Sequence, residues 1–209
     1  MSDTFSTDCH LCPRLSNFLD EVKTENPAYY AKPVPSFGDD DPRLLIVGLA
    51  PGMHGANRTG RPFTGDYAGI LLYRTLYKFG FASLPESVSA DDALRLSGCR
   101  ITNAVKCLPP QNKPETSEIK MCNGFLRQEL DALGEGRAIL ALGNIAHQAV
   151  LGALGLKKKD HPFAHGAVYG LPKGRMLFSS YHCSRYNTQT RRLTDAMFEG
   201  VFAAIAEAL

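Results

Sequence analysis

The stretch "LLIVGLAPGMHGANRTGRPFTGD", Leu44 to Asp66, sets four apolar residues directly ahead of a glycine-rich loop. A short apolar run closed by glycine and proline reads as a buried strand emptying into a loop. The same pattern recurs along the chain. "RITNAVK" (Arg100–Lys106), "RAILAL" (Arg137–Leu142) and "RMLFSSY" (Arg175–Tyr181) read as further strands. Helical spacing covers Asp66–Phe79, Glu115–Leu133 after Pro114, Asn144–Leu154 and Thr194–Leu209, with Thr194 as a cap. Strands alternating with helices imply an α/β fold with a parallel sheet and helices on both faces. In such sheets ligands bind beyond the carboxyl ends of the strands. Three polar loops, from Gly48, Cys107 and His182 onward, are then expected on one edge. The segments Pro27–Pro42 and Ser83–Gly98 read as loop or irregular helix.

The opening loop poses a chemical question. After Asp41 no carboxylate appears until Asp66. If the loop is an active site, its acid or base lies at its far end or on another strand. The loop is not a phosphate-binding Walker motif, because no Gly-Lys-Ser/Thr follows, and a dinucleotide fingerprint is also absent.

The chain has 209 residues, 44% hydrophobic and 21% charged, which suits one globular domain. No apolar run reaches membrane-spanning length, and the N-terminus carries no basic-plus-apolar signal, so a cytoplasmic protein is expected. The net charge of +2 hides an asymmetry. Residues 1–50 hold eight acids against four Lys/Arg, whereas residues 157–194 hold eight Lys/Arg against one acid, Asp160. A basic C-terminal third fits a polyanionic partner, although a solvated basic face is the plainer reading of charge alone.

In a reducing compartment the six cysteines are expected as ligands, reactive groups or core thiols rather than disulfides. Cys9 and Cys12 form a C-x2-C pair. Cys107 follows a strand, and Cys122 lies inside the next helix, where a strand-to-helix turn brings the two together. Four thiols in this pattern suit structural zinc or an iron–sulfur cluster, and spacing does not separate the two. Cys99 reads as a core residue. Cys183, beside His182, reads poorly as a nucleophile because no orienting group can be assigned to the pair.

Single residues in the loops have plain readings beside functional ones. Phe63 either stacks on a planar ligand or fills core beneath the loop. Asp66 falls where a helix begins and is explained by capping alone. His54 reads as a surface residue. Asn103 is a polar residue in a strand pattern, and its amide must find partners or read a ligand. His182, Ser184, Arg185, Tyr186, Asn187, Arg191 and Arg192 crowd the third loop, where Arg and hydroxyl groups suit phosphates.

Together, "GLAPGMHGANRTGRPFTGD", "ITNAVKCLPP", "HCSRYNTQTRRLT" and the four cysteines resemble the uracil-DNA glycosylase superfamily, and in particular its fifth, type B family. The resemblance covers nearly the whole chain, and the first motif carries most of it. It implies a three-layer αβα fold with a four-stranded parallel sheet. The chain, 1–209, would be a single domain with an N-terminal cluster-binding arm, and a [4Fe–4S] cluster would sit on Cys9, Cys12, Cys107 and Cys122. It implies excision of uracil, and of hypoxanthine or xanthine, from DNA by hydrolysis of the N-glycosidic bond of a flipped nucleotide. The implied roles are stacking by Phe63, edge recognition by Asn103, anion stabilisation by His182 and water orientation by Asp66. Backbone groups of Ala50 and Gly52 would help hold the base, and Arg58, Arg185, Tyr186, Arg191 and Arg192 would contact DNA. The implied partner is DNA containing deaminated bases, met by a cytoplasmic, nucleoid-associated monomer. Two departures stand out. The fourth family has Glu where this chain has Leu49, and the usual His-Pro-Ser of the third motif is His182-Cys183-Ser184 here. A non-catalytic iron–sulfur or zinc DNA-binding module and a zinc-stabilised nucleoside hydrolase are the rival expectations.

Overall fold

The apolar run of the opening stretch is buried along its whole length as a central strand, in a computed structural model that describes residues 4–209. One sheet holds six strands: β1 (Phe37–Gly38), β2 (Leu44–Gly48), β3 (Cys99–Asn103), β4 (Ala138–Leu142), β5 (Val168–Gly170) and β6 (Met176–Ser180). Their order is β1-β3-β2-β4-β6-β5. The four inner strands run parallel, while β1 and β5 pair antiparallel at the two edges. The expected sheet of four strands is therefore corrected to six. The two edge strands span only two and three residues and bury little, so they carry no apolar run that a sequence can display.

Alternation along β2 builds both faces of the sheet. Leu44 and Ile46 join Leu72 and Leu76 of helix α3 (Tyr67–Lys78) and Phe198 and Phe202 of α7 (Asp195–Ala208). Leu45 and Val47 join Leu126 and Leu130 of α4 (Thr116–Ala132) and Val150 of α5 (Asn144–Ala153) on the other face. A third apolar cluster packs Leu15, Leu19 and Val22 of α1 (Pro13–Glu25) against Val105, Leu108 and Phe125.

The helix boundaries follow local chemistry. The carboxylate of Asp66 accepts from Gly69 N at 2.8 Å and opens α3. Glu115 and Glu118 form a capping box ahead of α4. Glu118 also takes two bonds from the Arg14 guanidinium, at 2.8 and 2.7 Å, which ties the start of α1 to the start of α4. The expected strand Arg100–Lys106 is shorter at its end, because the chain bends after Asn103. Ala104 N and Val105 N still donate to Gly48 O and Leu49 O, both at 2.9 Å, so the bend stays pinned to β2.

Four features were not expected: α1, two short helices in segments read as loops, α2 (Ala56–Thr59) and α6 (Arg185–Gln189), and the folding of residues 83–98 against the first loop. Arg61 does the last of these. Its buried guanidinium donates to Asp92 Oδ1 at 2.5 Å and Ser87 Oγ at 3.1 Å, and lies 4.4 Å over the Phe37 ring.

Candidate active site

Register brings the strand ends level. Gly48 of β2 is paired with Asn103 of β3, and Leu142 of β4 with Ser180 of β6, so His182 emerges two residues beyond the same edge. Beyond that edge lies a cavity of about 440 Å³. Leu49, Ala50, Gly52, Phe63 and Asp66 line it from the first loop, Asn103 and Asn112 from the second segment, and His182, Ser184 and Arg185 from the third. The three polar loops thus meet at one place, across the crevice where the chain passes from one side of β2 to the other.

Asp66 both caps a helix and lines the cavity. Oδ1 caps α3 through Gly69 N. Oδ2 turns toward the glycine loop: a Cβ on Gly55 would lie 2.5 Å from it, and one on Gly52 3.8 Å away. Gly55 is thus the residue whose missing side chain lets this carboxylate fold back against the loop. Burial raises the Asp66 pKa, and the bonds from the backbone of Gly69 and Ala68 work against that rise. A part-desolvated carboxylate facing a cavity is a candidate general base.

Asn103 Oδ1 is buried and has no hydrogen-bond partner among the described residues. Such an acceptor costs about 1–3 kcal/mol when left unpaired, which makes its place in the cavity wall informative. Its room comes from Gly48, where any Cβ would strike Oδ1 and the Phe63 ring, the latter at 2.8 Å. Phe63 itself holds a positive φ of 54°, strained for an aromatic residue. Its ring lies against that of His182, with centroids 5.8 Å apart and planes 28° apart. It is therefore packed as well as cavity-facing. Burial pulls the pKa of His182 down from its ordinary 6.5 to about 4, so its ring is neutral near pH 7.

The third loop is held from both sides. Asn187 Nδ2 donates to His182 O at 2.8 Å, and Ser184 Oγ caps α6 by accepting from Asn187 N. Tyr181 is stacked on His165, with centroids 5.1 Å apart, and carries Arg192 4.6 Å above its ring. Arg185 sits 5.8 Å from the Tyr67 ring beside the cavity, and Tyr186 stands 71% exposed next to it. Arg191 is exposed. Arg58 is exposed and donates within the first loop, to His54 O at 2.7 Å and Gly65 O at 3.5 Å.

The sequence model of the uracil DNA glycosylase superfamily matches residues 35–206. The chain belongs to the uracil-DNA glycosylase superfamily. It is 53% identical over 197 residues to a type-5 uracil-DNA glycosylase of Thermus thermophilus, covering 92% of this chain and 90% of that one. A type-5 uracil-DNA glycosylase of Pyrobaculum aerophilum is 42% identical over 206 residues, 96% of this chain and 89% of the relative. A type-4 uracil-DNA glycosylase of the same organism is 33% identical over 142 residues, 68% and 64% of the two chains. The likeness is thus stronger to the type-5 than to the type-4 relative, in keeping with Leu49 at the position where the fourth family has Glu.

In this superfamily member the four candidate ligand cysteines come from three elements and line one further cavity with Phe5, Leu15, Lys106 and Phe125. Cys12 precedes α1, Cys107 follows β3 and Cys122 lies in α4. Among the described residues, no three His, Cys, Asp or Glu side chains converge closely enough for a single metal ion. Burial raises the Cys107 and Cys122 thiols, Cys122 to about 11, and repulsion among the four raises Cys107 further. Thiols in that setting hold as thiolates only with a positive group between them, and the donor set fits such a group.

The leftover cysteines are core residues. Cys99 and Cys183 are both fully buried in the cluster around α3 and α7, and burial raises the Cys183 thiol, so it is no nucleophile. Asn112 and Tyr67 were missed as cavity residues. Asn112 adopts a left-handed φ of 57° in a loop with no regular pattern, a conformation that no spacing rule reveals.

Proposed function

We propose that the protein is a uracil-DNA glycosylase of base-excision repair. It would hydrolyse the N-glycosidic bond of uracil, and secondarily of hypoxanthine or xanthine, to leave an abasic site. The observation that carries this is the unpartnered Oδ1 of Asn103 in the wall of a cavity shared with Phe63, Asp66 and a neutral His182. The type-5 relatives support the substrate class.

The nucleotide is flipped out of the duplex into the cavity, where Phe63 stacks on the base and Asn103 pairs with its edge. As the glycosidic bond breaks, its electron pair leaves with the base, and the sugar becomes oxocarbenium-like. His182, being neutral, donates a hydrogen bond to the base oxygen on which negative charge develops. The Asp66 carboxylate balances the positive sugar and orients a water. The water oxygen bonds to C1′, and its proton passes to Asp66 and on to the departing base. Backbone groups near Ala50 and Gly52 help seat the base. Arg185 and Tyr186 fill the gap left in the duplex, and Arg191 and Arg192 neutralise phosphates.

The cysteines at 9, 12, 107 and 122 would hold a [4Fe–4S] group. Four thiols lining one cavity are the donor set that such a group takes. When bound, it cross-links the N-terminal arm to the segment after β3 and takes no part at the bond. Residues 1–209 would then work as one domain and as a monomer on DNA, in the cytoplasm at the nucleoid.

The test is excision. The protein is incubated with duplexes carrying uracil, hypoxanthine, xanthine or only normal bases, and abasic sites are cleaved with alkali. Strand cleavage at uracil first, and more slowly at the deaminated purines, is expected. Binding without any cleavage would instead favour a non-catalytic module, which has no use for an unpartnered amide oxygen beside a half-buried carboxylate.

A further inference from the structure

Lys106 is a lysine where the fold has little reason to keep one. The residue is 1% exposed, although its long stem would normally carry the ammonium to water. Nζ donates to Thr102 Oγ1 and to Glu129 Oε1, the latter at 2.9 Å, and lies 5.7 Å from the centre of the Phe5 ring. The other Glu129 oxygen is buried without a partner among the described residues. A buried ion pair of this kind is weak as a source of stability, since an apolar pair of similar volume is often as stable. Its location points to another use. Lys106 borders the four-cysteine cavity, precedes Cys107 in the chain, and its backbone N–H donates to Cys122 Sγ at 3.3 Å.

The charges around the cavity are unevenly matched. Glu118 flanks the Cys12 side and is neutralised by Arg14 at 2.7 Å. Four thiolates in a low-dielectric cavity still leave a net negative group. Lys106 is the buried cation that borders the cavity, with its backbone N–H on the Cys122 sulfur. Net charge and hydrogen bonds to the sulfurs set the reduction potential of such groups.

We propose that Lys106 is the counter-charge of the tetrathiolate site. Its ammonium and backbone N–H hold the [4Fe–4S] group against loss and raise its reduction potential, and Glu129 opposes it. This rests on the cluster reading above, and the experiment keeps the two separate. Iron and inorganic sulfide are first measured in the purified wild-type protein. Their absence, or zinc in their place, ends the cluster reading and this one with it.

Given a cluster, Lys106→Met and Glu129→Gln are compared with wild type by anaerobic titration with dithionite, which supplies the single electron taken up. The potential is expected to fall in Lys106→Met and to rise in Glu129→Gln. The rate at which an iron chelator bleaches the visible absorbance is the second readout. It should be several-fold faster in Lys106→Met and slower than wild type in Glu129→Gln. Damage to packing alone would speed bleaching in both variants. Shifts of the same sign in the two, or none in either, overturn the proposal while leaving the cluster intact.

Discussion

At the scale of single residues, Asp66 carries the sharpest test, because one oxygen of its carboxylate caps α3 while the other, turned toward the glycine loop, is the one proposed for catalysis. Asparagine caps about as well as aspartate, whereas alanine forfeits about 1 kcal/mol of helix stability. Asp66→Asn should therefore melt close to wild type and lose about 10²–10⁴-fold in single-turnover excision of uracil. Asp66→Ala should lose both. An Asn variant with normal excision would leave Asp66 a cap and nothing more. His182 gives a pH prediction. Its folded pKa of about 4 lies below the ordinary 6.5. The stability linked to its neutral form is fully present above pH 6.5 and is lost as pH falls toward 4. Thermal denaturation from pH 7 to 4 should show this loss, and His182→Gln should flatten it. In excision assays no acid limb near 6.5 is expected from His182. The limb should belong to Asp66, whose ionised form is needed and whose pKa burial raises. Removing the His182 donor should cost about 10²–10³-fold in rate.

At the scale of elements, the pairing of Gly48 with Asn103 places a residue without a side chain opposite an amide. A Cβ there would push on both Asn103 and Phe63. Gly48→Ala should cost about 1–3 kcal/mol by overpacking. It should weaken uracil excision more than this small loss of stability would, because two residues of the cavity wall shift together. Melting temperature and single-turnover rate on the same preparation separate the two effects. The strands and helices that were legible in the sequence are those with a sustained apolar run or period: β2, β3 with its end placed too far along, β4, β6, α3, α4, α5 and α7. The edge strands β1 and β5 were not, since two or three half-exposed residues hold no period. The short helix α6 was read as loop, because its start rests on one Ser184 hydroxyl rather than on apolar spacing.

At the scale of the whole molecule, the basic third of the chain is divided: its third polar loop lies beside the cavity, whereas Arg175 is buried at the other sheet edge on Gly134 O and Leu133 O. Arg192 is laid over Tyr181, Arg185 near Tyr67, and Tyr186 points outward. If Arg191 and Arg192 each meet a phosphate, Arg191→Ala and Arg192→Ala should each lower the slope of log affinity against log salt by about 0.9 on duplex DNA. Binding to an abasic-site duplex over a salt series reads this directly. An unchanged slope would place those two side chains away from the DNA. No helix among the described residues is long and apolar enough to cross a membrane.

The sequence by itself determined the α/β alternation, the parallel inner strands, the four candidate cysteine ligands and the family, because period and short motifs are local properties of a chain. It also placed Phe63, Asp66, Asn103 and His182 on one sheet edge, through the rule that parallel strands end together. Only the tertiary structure decided that the capping carboxylate of Asp66 also faces the cavity, that burial lowers the His182 pKa, that Arg58 bonds within its own loop, and that Lys106 lies buried beside the thiols. Each of these depends on what surrounds an atom rather than on what precedes it in the chain. Desolvation, a missing Cβ on Gly48 or Gly55, and a buried oxygen without a partner arise when distant segments pack, and no spacing encodes them.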